Sequence, residues 1–254
     1  MKISGTILSL VIAVVITLVP GLHAQQAKPA HQWSYSGSGG PENWDSVKPD
    51  YATCKLGREQ SPIDIREAKH EVLAPIQFNY KPAQLRVINN GHTIQVNIPP
   101  GSFITVGNKK YELKQFHFHH PSEEYVNGQP YDMVAHLVHT DSDGQLAVVA
   151  VLISKGSANS LIQKIWENLP KTEGQEEVVS SVEINPSALL PANTGYYTFA
   201  GSLTTPPCSE GVTWFVLKTP AELSADEIAA FAKIYPDNAR PIQPTNGRTI
   251  TESQ

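Results

Sequence analysis

Two short stretches of the sequence concentrate imidazole side chains. The first, Gln-Phe-His-Phe-His-His at 115–120, carries His117 and His119 in alternation with phenylalanine, and the second, Ala-His-Leu-Val-His, follows at 135–139. Because side chains on a β-strand alternate between its faces, His117 and His119 are expected on one face, about 6 to 7 Å apart. Three protein ligands with one open position are typical of catalytic zinc. The pattern therefore predicts a zinc site on a strand, completed by a third histidine.

The third ligand has two candidates in the second stretch. His136 and His139 are three residues apart, so on a strand they face opposite sides, and the spacing alone leaves both open. His120 faces away from the first pair and precedes a proline, which favours a residue at the strand end. Cys54 and Cys208 lie far from the histidines in sequence and in no CxxC pair, so the histidines have to make the site.

The N-terminus has the pattern of a secretory signal peptide. Lys2 precedes an apolar run at 7–19 that is short for a bilayer-spanning helix, and Pro and Gly then interrupt it. We expect cleavage after Ala24, with 1–24 as the signal peptide; the alternative is a membrane anchor. Cleavage leaves 230 of the 254 residues, enough for one domain with a sizeable core, 25–254.

Charge and cysteine content narrow the compartment and the partners. The formal net charge is −5 and no basic run occurs, so we expect no binding to nucleic acid or to anionic lipid. Two cysteines in an exported chain predict a disulfide, with two buried free thiols as the alternative. Such a disulfide is expected to stabilise the fold by roughly 4 to 5 kcal/mol in the chain-entropy model.

The remaining chain predicts a single, mostly β domain with a large twisted sheet and few peripheral helices. Two helices are predicted, one at 161–169 before a proline and one opened by the capping box Ser224–Glu227 and extending to Tyr235. Candidate strands are short and rich in β-branched residues, at 85–89, 93–98, 103–106, 111–119, 133–139, 146–153 and 212–217.

These stretches resemble those of the α-class carbonic anhydrases, and the resemblance covers nearly the whole of the expected mature chain. It is carried, in the family's order, by Trp-Ser-Tyr at 33–35, Gln-Ser-Pro-Ile-Asp-Ile at 60–65, Asn-Asn-Gly-His-Thr at 89–93, the two histidine stretches, Gly-Ser-Leu-Thr-Thr-Pro-Pro at 201–207 and Asn-Ala-Arg-Pro-Ile-Gln-Pro at 238–244. The resemblance implies a central, mostly antiparallel sheet with a conical active-site cavity. It further implies a periplasmic or secreted bacterial enzyme.

The resemblance also selects the ligands. It implies that His117, His119 and His136 bind Zn²⁺, that His139 is structural, and that Gln115 supports the ligands from behind. The implied reaction is the reversible hydration of CO2 to bicarbonate and a proton by zinc-bound hydroxide. Zinc lowers the pKa of its bound water to about 7, and carbonic anhydrase is itself the reference case for that value.

Three residues receive catalytic roles from the resemblance. Thr204 accepts a hydrogen bond from the hydroxide and donates one to Glu123, and this relay orients the nucleophile. His92 is the proton shuttle, a role that suits a group with an unperturbed pKa near 6.5. Without the resemblance, Thr204 would read as a turn residue and Glu123 as a solvated loop carboxylate.

The resemblance assigns two further groups of residues and the disulfide. Residues matching the CO2 pocket are Val138, Val148, Leu203, Thr205, Val212 and Trp214. Residues matching the network that orders water for proton transfer are Tyr35, Asn90 and Gln95, where Gln95 replaces the asparagine of many relatives. Secreted bacterial members join the segment before Gln-Ser-Pro to the segment after Thr-Thr-Pro-Pro, which implies a Cys54–Cys208 disulfide. The expected partner is the small-molecule substrate, with a homodimer as a further possibility.

One position departs from the family. Most relatives carry a glutamate two residues before the third histidine, where it accepts that imidazole's second N–H, and here the position is Val134. Asp132 shares the strand face but is about 13 Å away along an extended strand. Outer partners of metal-binding histidines are worth about 10- to 100-fold in metal affinity or activity. We therefore expect zinc to be held less tightly at His136 than in typical relatives.

Two rival interpretations remain at this level. His117-Phe-His119 with Glu123 also fits the first metal motif of cupins, but no second motif follows and Tyr111 stands where a glycine is expected. The other rival is an acatalytic carbonic anhydrase relative that acts as a binding module. Such relatives have typically lost a zinc ligand, whereas all three are present here.

Overall fold

The structure is a computed structural model, and it describes Met1 and residues 33–254. The expected signal peptide and its cleavage site lie outside the described residues. That interpretation therefore stays a prediction. Across the described part of the chain, no helix is long and apolar enough to cross a membrane.

Short strands dominate the described chain. The strands are β1 Asp64–Ile65, β2 Lys69–His70, β3 Ile76–Asn79, β4 Ala83–Asn89, β5 Ile94–Asn97, β6 Phe103–Val106, β7 Lys109–His119, β8 Tyr125–Val126, β9 Met133–Thr140, β10 Leu146–Lys155, β11 Glu176–Ile184, β12 Tyr196–Ser202, β13 Glu210–Leu217, β14 Ala221–Leu223 and β15 Thr251–Glu252. The helices are α1 Trp44–Val47, α2 Thr53–Leu56, α3 Ser160–Trp166 and α4 Ala225–Ala232, and the 3-10 turns are Gly37–Gly39, Pro41–Asn43, Pro49–Tyr51 and Pro186–Leu189.

Thirteen of these strands form one large sheet, and β1 and β8 pair separately. Its order is β11-β4-β5-β7-β9-β10-β13-β12-β15-β2, with β6 beside β7, β3 beside β6 and β14 beside β10. Most neighbours are antiparallel, whereas β10 runs parallel to β13 and β14, and β15 runs parallel to β2. The predicted mostly β fold with a large, mostly antiparallel sheet is confirmed.

The central strands β7, β9 and β10 are covered on both faces, so their apolar side chains form two separate cores. Phe116 and Phe118 of β7 pack into one core, with alternate residues of β9 and β10. Val134 and Val148 belong to the other core, on the face that carries the histidines. The alternation of side chains along each strand produces this division.

Two helices cover the face opposite the histidines. The aromatic ring of Phe118 lies 5.2 Å from Trp166 of α3 and 6.1 Å from Phe231 of α4, centroid to centroid. The predicted capping box is confirmed, because the Ser224 hydroxyl accepts from Glu227 N and the Glu227 carboxylate accepts from Ser224 N. The helices end three residues earlier than predicted. Pro170 and Pro236 have no N–H to donate to the carbonyl four residues earlier, which is that of Trp166 or Ala232, the last residue of each helix.

Two long strands were missing from the sequence interpretation. β11 lies at the sheet edge against β4 alone, and its sequence Glu-Glu-Val-Val-Ser-Ser-Val-Glu-Ile does not alternate regularly between polar and apolar residues. β12 ends in Phe-Ala-Gly-Ser, and glycine and small residues have low strand propensity. β11 is held by pairing with β4, which is distant in sequence, whereas β12 pairs with the next strand, β13, and on its other side with the distant β15.

The predicted Cys54–Cys208 disulfide is confirmed. It joins α2 to the loop after β12, with the two Cα atoms 4.9 Å apart and 154 residues between them in sequence. The bridge is buried against Trp44. It therefore ties the N-terminal helical segment to the loop that joins β12 and β13.

Removing this bridge is expected to destabilise the protein without dismantling the histidine cluster. The double variant Cys54→Ser/Cys208→Ser should lose about 2 to 5 kcal/mol of unfolding free energy, because the cross-link restricts the unfolded chain. Denaturant unfolding of the oxidised wild type and of the variant measures the difference. Equal midpoints would show that the bridge contributes nothing to stability.

Candidate metal centre

The pairing of β7 with β9 brings the three predicted ligands together. A bulge between Leu113 and Gln115 sets the register, after which His117 lies directly opposite His136. His119 is two residues further along β7, on the same face. The ring centroids are 5.1 Å apart for His117 and His119, 5.5 Å for His117 and His136, and 4.7 Å for His119 and His136.

Each imidazole is held by a hydrogen bond on its outer nitrogen. Nδ1 of His117 is 2.8 Å from Oε1 of Gln115, and Nδ1 of His119 is 2.8 Å from the carbonyl oxygen of Asn238. Nε2 of His136 is 3.0 and 3.1 Å from the two carboxylate oxygens of Glu124. Since all three partners are acceptors, each outer nitrogen carries the proton and the inner nitrogen keeps its lone pair.

The inner nitrogens meet the requirements of a metal site. One ligand atom from each of the three histidines lies within 4.8 Å of the others. Nε2 of His119 is buried and has no hydrogen-bonding partner among the described residues. Buried polar atoms normally have a partner, so an unpaired imidazole nitrogen facing two others fits a metal ion.

Burial favours the neutral, ligating form of two of these rings. It lowers the pKa of His117 to about 3 and that of His119 well below its usual range, and the positive charge of His136 adds to both shifts. Burial also lowers the pKa of His136, but the Glu124 and Glu123 carboxylates outweigh it and the net shift is upward. A metal ion competes with protons for the same nitrogens, so neutral rings favour binding.

Glu123 lies beside the ligands and is fully buried. Its Oε2 is 3.4 Å from Nε2 of His119, and its Oε1 accepts a 2.8 Å hydrogen bond from Arg240 N. Burial raises the pKa of the Glu123 carboxyl to about 7, while the nearby Thr204 hydroxyl and the Arg240 N–H oppose that rise. In the described residues Oε2 has no donor in full hydrogen-bond geometry, so the Thr204–Glu123 relay stays a prediction.

The residues expected to form the CO2 pocket cluster on the histidine face. Val138, Val148 and Trp214 are directly opposite one another across β9, β10 and β13. The Trp214 ring packs edge-on against His136, with centroids 4.9 Å apart. Val212 and the half-buried Leu203 belong to the same apolar cluster. Thr205 is half-buried in the turn after β12, where its carbonyl accepts from Cys208 N.

The expected water-ordering residues and the expected shuttle lie nearby. Gln95 is directly opposite His117 across β5 and β7, and its Oε1 is 3.4 Å from Nδ2 of Asn90. The half-buried His92 stacks on Trp33, with centroids 3.6 Å apart and planes 6° from parallel. Burial, followed by the charge of Glu123, raises the pKa of Tyr35 well above its usual range.

The premise of the weak point expected at His136, that the imidazole lacks a carboxylate partner, is wrong. The expectation about zinc affinity itself stays a prediction. Val134 is indeed apolar, buried and opposite His119, and it offers the imidazole no acceptor. Glu124 provides the carboxylate instead, from the loop between β7 and β8. Asp132 is engaged elsewhere and accepts from Lys155 N. The His136 N–H therefore has a charged partner, which the sequence interpretation did not identify.

Sequence reasoning missed two supporting residues. Glu124 was not identified. The available signal was a second carboxylate directly after Glu123, in the loop between the two histidine strands. Asn238 supports the site twice: its carbonyl accepts from His119, and its amide nitrogen donates 3.0 Å hydrogen bonds to the carbonyls of His92 and Phe118. The contact with His119 is made by the backbone carbonyl of Asn238, so the residue type does not predict it.

Comparison with known proteins agrees with this geometry. The family model described as eukaryotic-type carbonic anhydrase matches residues 39–254. A protein named carbonic anhydrase from Nostoc sp. is 45% identical over 226 residues, which cover 87% of this chain and 86% of the relative.

Two solved structures are similar throughout. A hyperthermostable carbonic anhydrase from an active hydrothermal vent chimney is 47% identical with a TM-score of 0.84, covering 87% of this chain and all of that one. The α-carbonic anhydrase of Thermovibrio ammonificans, solved with the inhibitor sulfanilamide, is 45% identical with a TM-score of 0.82, covering 86% of this chain and 98% of that one.

With this fold, this histidine cluster and these relatives, the chain belongs to the α-carbonic anhydrase family of enzymes. The alternative cupin assignment is wrong. Among the described residues, the group able to hold one metal ion consists of the three histidines without Glu123. The family is metal-dependent and hydrates CO2, and three histidines lie close together in this chain.

Proposed function

We propose that this protein catalyses the reversible hydration of CO2 to bicarbonate and a proton, with Zn²⁺ held by His117, His119 and His136. One observation carries the proposal. Three imidazoles have their outer nitrogens committed to acceptors, and their inner nitrogens converge on one space beside an apolar wall. Three protein ligands leave the open position that a catalytic site needs.

Zinc bound there supplies a water molecule of lowered pKa as the nucleophile at neutral pH. The residues of the chain then have to orient that nucleophile. Thr204 is assigned as the acceptor of a hydrogen bond from the nucleophile. Glu123 is assigned as the acceptor of the hydrogen bond that the Thr204 hydroxyl donates. The Arg240 N–H holds the other oxygen of Glu123, which restricts rotation of the carboxylate. Fixed acceptors of this kind need little reorganisation during the reaction.

The apolar row on the histidine face is assigned to the substrate. CO2 is apolar, so a wall without donors admits it beside the metal and leaves water as the nucleophile. Val138, Val148 and Trp214 form this wall, with Val212 and Leu203 at its edge. Thr205 is assigned to the same pocket from its place next to Thr204.

His92 is assigned as the proton shuttle, with Tyr35, Asn90 and Gln95 ordering the connecting water. An acid of pKa about 7 releases protons to water at only about 10³ per second when recapture is diffusion-limited. A buffering group inside the protein removes that limit. The position of Gln95 opposite His117 supports a polar path that begins beside the metal ligands.

The protein is proposed to act in the periplasm or outside the cell. The disulfide is consistent with an oxidising compartment, and the N-terminal segment 1–24 is assigned as a signal peptide on its sequence pattern. We assign CO2 and bicarbonate as its small-molecule partners.

Replacing one ligand tests the metal site. His119→Ala should abolish CO2 hydration and reduce bound zinc to well below one per chain, because two imidazoles remain. Elemental analysis and stopped-flow hydration measure the two effects. The matched control is His120→Ala. His120 bonds the carbonyl of Pro236 and is not a proposed ligand, so this variant should keep its zinc. Full zinc content in His119→Ala would refute the ligand assignment.

An aromatic sulfonamide tests the open coordination position. Its anionic nitrogen can replace the nucleophile on the metal and donate a hydrogen bond to Thr204, so we expect complete inhibition at saturation. A related enzyme has been solved with sulfanilamide bound. Undiminished hydration at saturating inhibitor would argue against an accessible metal in this protein.

His92→Ala tests the shuttle. Turnover in weak buffer should fall roughly tenfold or more, the scale of general acid–base contributions, while the CO2 step is spared. Added imidazole should restore much of the rate. His70→Ala is the control, since His70 lies at the sheet edge beside Glu252. Unchanged turnover of His92→Ala without added buffer would assign the shuttle to another group.

A further inference from the structure

Glu124 has an unusual environment for a carboxylate. It is completely buried, and both of its oxygens lie within 3.1 Å of Nε2 of His136. In the described part of the chain, its side-chain hydrogen bonds go to His136. Burying a carboxylate is costly unless it is paired and hydrogen-bonded, so this contact has to compensate for the loss of hydration.

The backbone around Glu124 is held in place. The Ser122 hydroxyl donates a 2.8 Å hydrogen bond to the carbonyl of Glu124 and accepts another from Tyr131 N. On the other side, Tyr125 N donates to the carbonyl of Ile63, where β8 pairs with β1. The carboxylate is therefore presented to His136 by a segment fixed at both ends.

Glu123 and Glu124 lie next to different nitrogens of the His136 imidazole. Oε2 of Glu123 is 3.8 Å from Nδ1 of His136, whereas Glu124 bonds Nε2 on the far side of the ring. The Glu124 carboxylate accepts a hydrogen bond from Nε2–H of His136. That hydrogen bond fixes the tautomer and leaves the Nδ1 lone pair facing His117 and His119.

We propose that Glu124 is the positioning residue for the third metal ligand, in the role that the family resemblance gives to a glutamate at the position of Val134. In this chain the carboxylate comes from the loop between β7 and β8 and not from the strand that carries His136. Glu124 orients the ring and increases the electron density on Nδ1, which strengthens metal binding. The proposal deepens the proposed function and rests on it, because His136 has to be a metal ligand.

Val134 is the apolar residue at the position where the family resemblance implies a glutamate. It lies on the same face of β9 as His136, packed in the apolar cluster with Val148 and Trp214. A glutamate at 134 in the native background would bury a second carboxylate near the first, and like charges repel strongly at low dielectric. We therefore expect Val134→Glu alone to leave zinc loss equal or faster, whereas the same change without Glu124 restores a missing carboxylate.

The experiment measures zinc release from the full-length protein to a chromophoric chelator. Glu124→Ala should release zinc about 10- to 100-fold faster than the wild type, with the isosteric Glu124→Gln in between because its amide oxygen still accepts a hydrogen bond. The double variant Glu124→Ala/Val134→Glu should recover most of the loss. Glu112→Gln is the control for net charge, since Glu112 pairs with Lys114 near the protein surface.

A spectroscopic signature separates orientation of the ring from support of the loop. With ¹⁵N-histidine, the His136 Nε2–H proton in the zinc protein should resonate far downfield through its bond to the carboxylate. It should move upfield in Glu124→Gln and return downfield in the double variant. If Glu124→Ala does not fold, the Gln variant and this proton signal still decide the question.

Two results would overturn the positioning role. One is zinc release at the wild-type rate from folded Glu124→Ala or Glu124→Gln. The other is faster release that Val134→Glu does not reverse, because that would mean Glu124 merely supports its loop. Failure of the proposed function looks different: the wild type itself would bind no zinc or hydrate no CO2.

Discussion

The register between β7 and β9 is the constraint on which the site depends. Antiparallel pairing puts His117 opposite His136, and the two-residue period of β7 adds His119 to the same face. A shift of one residue in either strand would move its histidines into the opposite core, where Phe116 and Phe118 pack. The apolar residues on both faces of these strands therefore fix the position of the ligands as well as the stability of the sheet.

The two buried carboxylates beside the histidine cluster fit a site that holds a cation. Glu123 and Glu124 are both buried next to the imidazoles. The guanidinium of Arg240 is nearby, but its nitrogens donate to Gln60, the Ser61 carbonyl and the Cys54 carbonyl. A dication held by the three imidazoles would compensate the two buried carboxylates.

Arg240 also links parts of the chain that are far apart in sequence. Its backbone N–H holds Glu123, and its side chain reaches the helix that carries Cys54 and the Gln-Ser segment at 60–61. The disulfide closes the same region from the other side through Cys208, whose carbonyl accepts from Gln60. The stretches 60–65 and 238–244 that resemble the family thus meet at Arg240, whose backbone N–H holds the Glu123 carboxylate beside the histidine cluster.

Much of this protein was readable from sequence because its signals are local. The alternation of histidine with phenylalanine in β7 reports two faces of one strand, and the capping box of α4 reports its own first turn. The extents of β11 and β12 were not readable, since β11 depends on pairing with the distant β4 and β12 ends in residues of low strand propensity that pair with β13 and β15.

The orienting partners of the ligands divide along the same line. Gln115 precedes His117 by two residues on one strand, so its contact follows from the strand's period. Glu124 reaches His136 from another element, and Asn238 reaches His119 with a backbone carbonyl that no side chain announces. The sequence by itself determined the family, the fold class and the candidate ligands. Only the tertiary structure decided which groups hold them, because contacts between elements depend on how the loops return to the sheet.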